Sequence, residues 1–545
     1  MAGQGDARVT RQMWTTLAAM TTAASMILVD QTAVPLAIPH AVRDLDGSLD
    51  GSQWIMTANI LPLAAFMVLG GRLGDLLGLR RVFLAGAAAF ALATIAAGLA
   101  QDMPMMIGAR LLQGCSAALM MPTSMAIVSA TFAGPRRGYA LGILAGGSAF
   151  FAALGPVLGG VLTSIDWRLV FLINVPLAVV AGTLMLRGGP ETMDRRTRAP
   201  VDVPGAATLA VALAAIVYGL SEGDDAGWTS GVVLGCVGAG LACLALFVVV
   251  ELRSRAPLLE LRLLRHLNFL AANLSQLLAG MIELGLGYLL PYLLLLVIGV
   301  DPLVAGIALI PSTVPIVLAG PLAGRMFDRI GGRAPLVAGF LVLAASGVAL
   351  GVAAGAESAW ALIPGLVLQG LGLGMVLTVN DPTGLSAVPE RDQGVAAGML
   401  NTSEQLGGAL GIALLLSIEL SRYRDDLYAR LAELGVRPTP GQEERGLEFI
   451  QRAEEIGLDR AAREAGGDPV VRTALEPLID AHVSGFALAF YVSAGIAVAG
   501  ALVCLVLVRR TDRALERPVF SRRSRWVAVH PGSTPAVSRA PDRRA

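Results

Sequence analysis

The chain has no lysine: all 41 of its basic residues are arginine, and they balance 41 carboxylates for a formal net charge of zero. A Walker A loop needs its lysine against the phosphates, so ATP hydrolysis by that route is excluded. Schiff-base cofactors such as retinal or pyridoxal phosphate lose their anchor as well, and no cofactor is expected. Charge of either sign is scarce, at 15% of 545 residues. With no net charge there is no general attraction to nucleic acid. Cysteine is limited to Cys115, Cys236, Cys243 and Cys504, all in apolar stretches, where they read as small packing residues and imply no disulfide. His40, His266, His482 and His530 are scattered without metal-ligand spacing.

What is present is apolar surface. Hydrophobic residues make up 55% of the chain, with 64 glycines, and the mean hydropathy is +0.68. A polytopic helical membrane protein needs such a composition; a soluble domain does not. Apolar runs long enough to span a roughly 30 Å hydrocarbon core occur near 13–39, 53–71, 82–100, 104–131, 139–163, 167–186, 204–221, 229–250, 268–298, 303–324, 334–354, 358–380, 395–418 and 485–508, fourteen in all. The first is too long for a signal-peptide core and lacks a small-residue cleavage site, so it reads as a helix of the protein itself.

The chain repeats one sentence. Gly71, Arg72, Asp75, Gly78 and Arg80 recur without a gap as Gly324, Arg325, Asp328, Gly331 and Arg333, 253 positions on. Each copy joins two apolar runs, so each reads as a tight charged loop whose glycines permit a sharp turn and whose arginines, Arg81 included, stay at the membrane surface. Two such loops imply two homologous halves, the sequence sign of a transporter that rocks one half against the other. Six spans with short connections need only about 200 residues at roughly 20 per span; the pair of runs at 204–221 and 229–250 supplies the excess. The expected order is a cytoplasmic N-terminus (1–12), a six-helix half (13–186), a two-helix insertion with flanking loops (187–267), a second six-helix half (268–508) and a disordered basic tail (509–545).

Arginine placement sets the orientation: with the N-terminus inside, the inner loops hold seventeen arginines and the short outer loops only Arg43 and Arg168. Both termini are then cytoplasmic. One outer loop is long. From 420 to 482 arginine and glutamate alternate with leucine at helical spacing, which predicts short amphipathic helices outside the membrane over Arg422–Leu434 and Glu443–Ile456.

Ionisable residues inside the spans are the candidate chemistry. Asp30 lies about 6 Å from the middle of the first span at 1.5 Å per residue. A charged aspartate there costs at least about 2.5–3.5 kcal/mol on insertion scales, so it must face a polar cavity, find a partner or carry a proton. Pro35 and Pro39 break nearby helical hydrogen bonds, as suits a cavity-lining element. Arg110 in the fourth span needs an acceptor such as Asp30 or backbone carbonyls, whether for proton transfer or as a structural tether. Glu283, near Tyr288 and Pro291, and Glu404, in Asn401–Gly408, are further candidates for proton coupling; Asp381 lies at the inner end of its span. Gly147, Gly155, Pro156 and Gly159 suit a kinked, close-packed fifth helix that serves as a hinge. The Gly370–Gly374 run lies in an apolar helix and reads as packing, not a nucleotide loop.

These motifs carry a resemblance. The loop from Gly71 to Arg81 resembles the one between the second and third helices of the major facilitator superfamily, with Leu76 and Leu79 where arginine is usual. The stretch Leu28–Pro39 resembles the first-helix signature of the fourteen-span drug/proton antiporters: Asp30, Thr32, Val34, Ala37 and Pro39 match, and Pro35 replaces an asparagine. Gly108–Gly114 resembles that family's buried-arginine motif, and Leu154–Gly160 the motif held to distinguish exporters from importers. The resemblance implies an all-α major facilitator fold of two six-helix halves plus a two-helix insertion, fourteen transmembrane helices in all. It implies no enzymatic activity and an antiporter that exports amphiphilic, cationic compounds against protons. Asp30, Arg110, Glu283 and Glu404 would couple protons, and Asp30, Thr32, Gln113, Tyr288 and Glu404 would line the substrate cavity. The loop residues Gly71, Arg72, Asp75, Gly78, Arg80, Arg81, Arg325, Asp328 and Arg333 would clamp an inner gate. The expected setting is the lipid bilayer of a bacterial cytoplasmic membrane, as a monomer. A dedicated exporter of one antibiotic or lipid, and a membrane sensor that no longer transports, are the alternatives.

Overall fold

The computed structural model describes residues 11–509 except 48, 133–135, 189–201, 224–225, 255–256, 258, 260, 357, 389–392 and 434–468. The described chain is helical. The first six spans are α1 (Arg11–Asp44), α2 (Leu49–Leu77), α3 (Leu79–Gly98), α4 (Met103–Thr131), α5 (Arg136–Ile165) and the pair α6 (Arg168–Leu172) and α7 (Asn174–Gly188). Next come α8 (Val203–Ser221) and α9 (Gly231–Arg253). The last six are α10 (Leu267–Tyr292), the pair α11 (Pro302–Ala308) and α12 (Ile310–Ile330), α13 (Arg333–Ala353), α14 (Ile363–Leu385), α15 (Gln393–Glu433) and α16 (Pro469–Leu507). Thirteen of these spans are long and apolar enough to cross a membrane, and the 29-residue α2 sits between the first and second of them.

Local sequence sets the helix ends. Asp102 and Asp202 each accept a hydrogen bond from the backbone N–H three residues on, at 2.7 Å and 2.8 Å, with proline in the first turn of α4 and α8. Gly78 and Gly331, equivalent positions in the two loop copies, both take positive φ, 102° and 79°. An L side chain is strained there, so the repeated glycine is a backbone requirement of the turn between α2 and α3 and of its copy between α12 and α13.

The halves repeat in packing as well as sequence. α1 packs on α5 and α7, α2 on α4, and α3 on α4 and α7; likewise α10 packs on α15 and α16, α12 on α14, and α13 on α14 and α16. The halves meet where α2 packs on α15 and α5 on α11. α8 leans on both α2 and α15, and α9 packs mainly on α8, so the inserted pair sits against one of the two seams.

The other seam, between α5 and α11–α12, is in close contact at one end. At the end remote from the two charged loops, a methyl group on Gly160 would stand 2.3 Å from the Pro302 carbonyl oxygen, and one on Gly306 would stand 2.4 Å from that of Pro156. Backbone there touches backbone. Five turns of 3.6 residues separate Gly160 from Gly142, so both lie on one face of α5. At Gly142, toward the charged loops, nothing approaches within 4 Å. Gly324, near the loop end of α12, is also open. α5 is therefore in backbone contact with α11 at the far end, while at the loop end α5 at Gly142 and α12 at Gly324 stand apart from any neighbour.

The long connection differs from the expectation of separate short helices. α15 continues without a break to Glu433, and α16 starts at Pro469. Arg430 pairs with Asp426 one turn back at 2.8 Å and with Asp480 of α16 at 2.7 Å, which favours continuing both helices past the apolar run. The stretch Glu443–Ile456 and the tail from 510 lie outside the described residues.

Candidate functional site

Asp30 is the centre of a closed polar network. Its Oδ2 accepts from Arg110 NH1 at 2.6 Å. Its Oδ1 accepts from Gln113 Nε2 and Asn174 Nδ2, both at 3.0 Å. Arg110 also donates to Gln113 Oε1 at 2.7 Å and, through Nε, to the Ile55 carbonyl at 2.7 Å, and its guanidinium lies 5.7 Å from the Phe171 ring centroid. Asp30 is 2% exposed, and Arg110, Gln113 and Asn174 are 0%. Four elements contribute: α1 carries the acid, α4 the arginine and glutamine, α7 the asparagine and α2 the carbonyl. A buried pair with this many supporting bonds is stable as a unit, and removing either member strands the other charge.

Asn174 escaped the sequence reading. It is the one strongly polar side chain in the run from Val170 to Pro176, and that interruption was the available signal.

The second half has an acid in the matching place but no base. The 253-residue offset of the two loops carries Asp30 onto Glu283. When Gln369-Gly370 is aligned on Gln113-Gly114, Leu366, fully buried, stands where Arg110 stands. Glu283 Oε2 is buried without a hydrogen-bond partner, as is Gln369 Oε1. Glu404 lies on the facing helix. A methyl on Gly280 would come within 2.2 Å of its carbonyl oxygen, so α10 and α15 touch less than one turn from Glu283. Glu404 accepts from Gln276 Nε2, Asn380 Nδ2 donates to Gln276 Oε1 and, at 2.9 Å, to the Ala272 carbonyl, and Ser275 donates to Asn380 Oδ1 at 2.6 Å. The two halves thus differ in kind: one carboxylate is neutralised by an arginine, and two others share a crossing supported by amides.

The remaining expected residues fall in different places. Thr32 donates to the Leu28 and Ala152 carbonyls, both at 3.1 Å, and so belongs to the α1–α5 crossing, where Gly155 and Gly159 lie against Thr32 and Ala33. Gly147 lies against Thr21 of α1. Tyr288, 1% exposed, shares a 2.7 Å hydrogen bond with Ser52 of α2 and stacks on Tyr292 with centroids 5.6 Å apart. Asp381 is exposed at its end of α14. Gly71 and Arg72 lie in the last turns of α2 and not in the expected loop, which shrinks to the turn at Gly78; Gly71 lies against Pro122, and Arg72 is half-buried. Arg80 donates to the Leu186 carbonyl at 2.9 Å, within its own half. Arg81, Arg325, Asp328 and Arg333 are exposed. Among the described residues no group of three or more metal-ligating side chains occurs.

Two pseudo-symmetric helical halves, each with an acid in its first helix, have the architecture of a membrane transporter. The chain belongs to the Major Facilitator Superfamily, whose profile matches residues 20–412. It is 33% identical over 508 residues to the tetracenomycin C resistance and export protein of Streptomyces glaucescens, covering 90% of this chain and 91% of that one. It is 32% identical over 395 residues to the multidrug resistance protein Stp of Mycobacterium tuberculosis, covering 72% and 73%. Among solved structures it is similar to a bacterial homologue of the human lysosomal transporter Spinster, with a TM-score of 0.63 at 17% identity, covering 92% of this chain and 99% of that one. This is a multi-pass membrane transporter and not an enzyme.

Proposed function

We propose that the protein exports amphiphilic, positively charged compounds across a bacterial cytoplasmic membrane in exchange for protons. The observation that carries this reading is the buried Asp30–Arg110 pair on α1 and α4. A proton delivered to Asp30 neutralises the carboxylate and frees Arg110 for its other acceptors, so protonation and the packing of α1 are linked. The unneutralised carboxylates Glu283 and Glu404 favour a cationic cargo, or a second proton when the cargo is absent. In this reading the charged-loop end is cytoplasmic and both termini lie inside, with α8 and α9 as the insertion between two six-helix units. The parted seam at that end is the inward-open state. The clamp of Gly71, Arg72, Asp75, Gly78, Arg80, Arg81, Arg325, Asp328 and Arg333 closes when the far end opens.

The names of the relatives support export and favour a second reading. Some are named for one compound, as with tetracenomycin C, puromycin and cephamycin, and others for many drugs. A dedicated exporter of a single antibiotic is therefore the alternative, and a susceptibility profile over many drug classes separates the two.

The test is transport of a fluorescent cationic dye into inverted vesicles under an imposed pH gradient, for wild type and Asp30→Asn. Gradient-driven uptake that the variant loses is the expected result. Uptake that survives in the variant moves the coupling to Glu283 or Glu404, and no uptake with any of a panel of cations overturns the broad-cation reading.

A further inference from the structure

Asp30 and Glu404 each have a neighbour that does something different. On a helix consecutive side chains point about 100° apart, so while Asp30 turns into the first half, Gln31 turns away from it. Likewise Glu404 turns toward Gln276 of α10, and Gln405 turns away. The two glutamines meet: Gln31 Nε2 donates to Gln405 Oε1 at 3.0 Å, across the seam between the halves. Gln31 is 5% exposed and Gln405 4%. An amide–amide bond in so dry a place is strong relative to separated partners, because each amide left without one is costly. α1 reaches this point 20 residues from its loop-end start and α15 only 12 from its own.

We propose that the Gln31–Gln405 bond is a latch that holds the halves in the state parted at the charged-loop end. Through the adjoining residues it ties the packing of Asp30 to that of Glu404. Both are positioning residues: they act through the carboxylates beside them. Rocking the far end open separates α1 from α15 at this depth and breaks the bond. Events that turn α1, such as loss of the Asp30–Arg110 contact, or that turn α15, such as occupation of Glu404, then reach the opposite half through one hydrogen bond. Neither glutamine belongs to the coupling and cavity residues named above.

The inference rests on the alternating-access reading, and its test is independent of cargo and of protons. Cys115, Cys236, Cys243 and Cys504 are replaced by serine or alanine, and Thr163→Cys, at a position 5% exposed near the far end of α5, serves as reporter. Its labelling by a membrane-impermeant maleimide is timed with no substrate and no gradient. Gln31→Leu and Gln405→Leu, close in volume to the native side chain, should each raise the labelling rate several-fold, and the double variant no further than either single. Gly160→Leu, whose bulk would part the far end where backbone now touches backbone, is the control and should raise the rate as well. Unchanged rates in the single variants, or rates that multiply in the double, overturn the latch. A reporter that reacts at one fixed rate in every variant, Gly160→Leu included, shows that the far end does not open, which overturns the alternating-access reading and the latch with it. Dye transport that fails while the labelling pattern holds removes only the cargo assignment.

Discussion

At Arg110 one planar group serves several directions at once: NH1 faces Asp30 and Gln113 while Nε faces the Ile55 carbonyl. Lysine carries the same charge but cannot span those directions, so Arg110→Lys should give folded protein, by gel filtration in detergent, with dye transport lost. Arg110→Leu strands a buried carboxylate and should destabilise by about 3–5 kcal/mol. The double variant Arg110→Leu with Asp30→Leu should recover most of that loss in thermal unfolding, because no charge is left unpaired. Equal and additive losses would show that the two residues are independent. The network was half legible in the sequence. A lone aspartate and a lone arginine in separate apolar spans each demand a partner, so Asp30 and Arg110 announce each other. Asn174 and the pairing of Gln31 with Gln405 did not, since a neutral amide in an apolar run carries no demand strong enough to name its partner.

Among the elements, α15 shows where local pattern and tertiary context diverge. The interleaved charges from Arg422 onward have helical spacing, and the structure is helical there; what the pattern could not say is that the helix is the same one that begins at Gln393. Continuity is decided by α16, which supplies Asp480 to Arg430 and His482 to Glu419. These two contacts should differ in weight. Arg430 and Asp480 are well exposed, 38% and 58%, so Arg430→Ala should cost only about 0–1 kcal/mol. Glu419 and His482 are each 3% exposed, and Tyr423 stacks on the imidazole with centroids 3.8 Å apart. Glu419→Ala should therefore lower the melting temperature in detergent clearly more than Arg430→Ala. A reversed order would show that the exposed pair, not the buried one, joins α15 to α16. Of the charged-loop glycines, the duplicated Gly78 and Gly331 announced the turn they make, whereas Gly71 and Gly324 lie inside α2 and α12, where a helix of this length could not be told from a loop by glycine alone.

For the molecule as a whole, the proposed exchange makes the seam between α5 and the α11–α12 pair into two gates, closed at Gly160 and Gly306 and open at Gly142 and Gly324. Bulk at the closed end should prop it open: Gly160→Leu and Gly306→Leu should raise maleimide labelling of Thr163→Cys. Bulk at the parted end has room now but would block closure later. Gly142→Leu and Gly324→Leu should therefore leave that labelling low and still abolish transport. If all four substitutions acted alike, the face would be mere packing and not a pair of gates. The repeated motif announced two halves; which end is shut had no such signal, since it depends on backbone contacts such as Gly160 against Pro302 that no residue pattern encodes.

α15 is 41 residues long. At 1.5 Å per residue that is roughly 60 Å, about twice the thickness of a hydrocarbon core. Such a helix is a lever arm. The part that carries Glu404 and Gln405 and the part beyond Leu420 are one stiff rod, so a tilt of a few degrees inside the bundle becomes a swing of several ångströms at Glu433. In the proposed orientation, an antibody fragment that grips the projecting segment would therefore brake the machine from outside, without ever reaching the path its cargo takes.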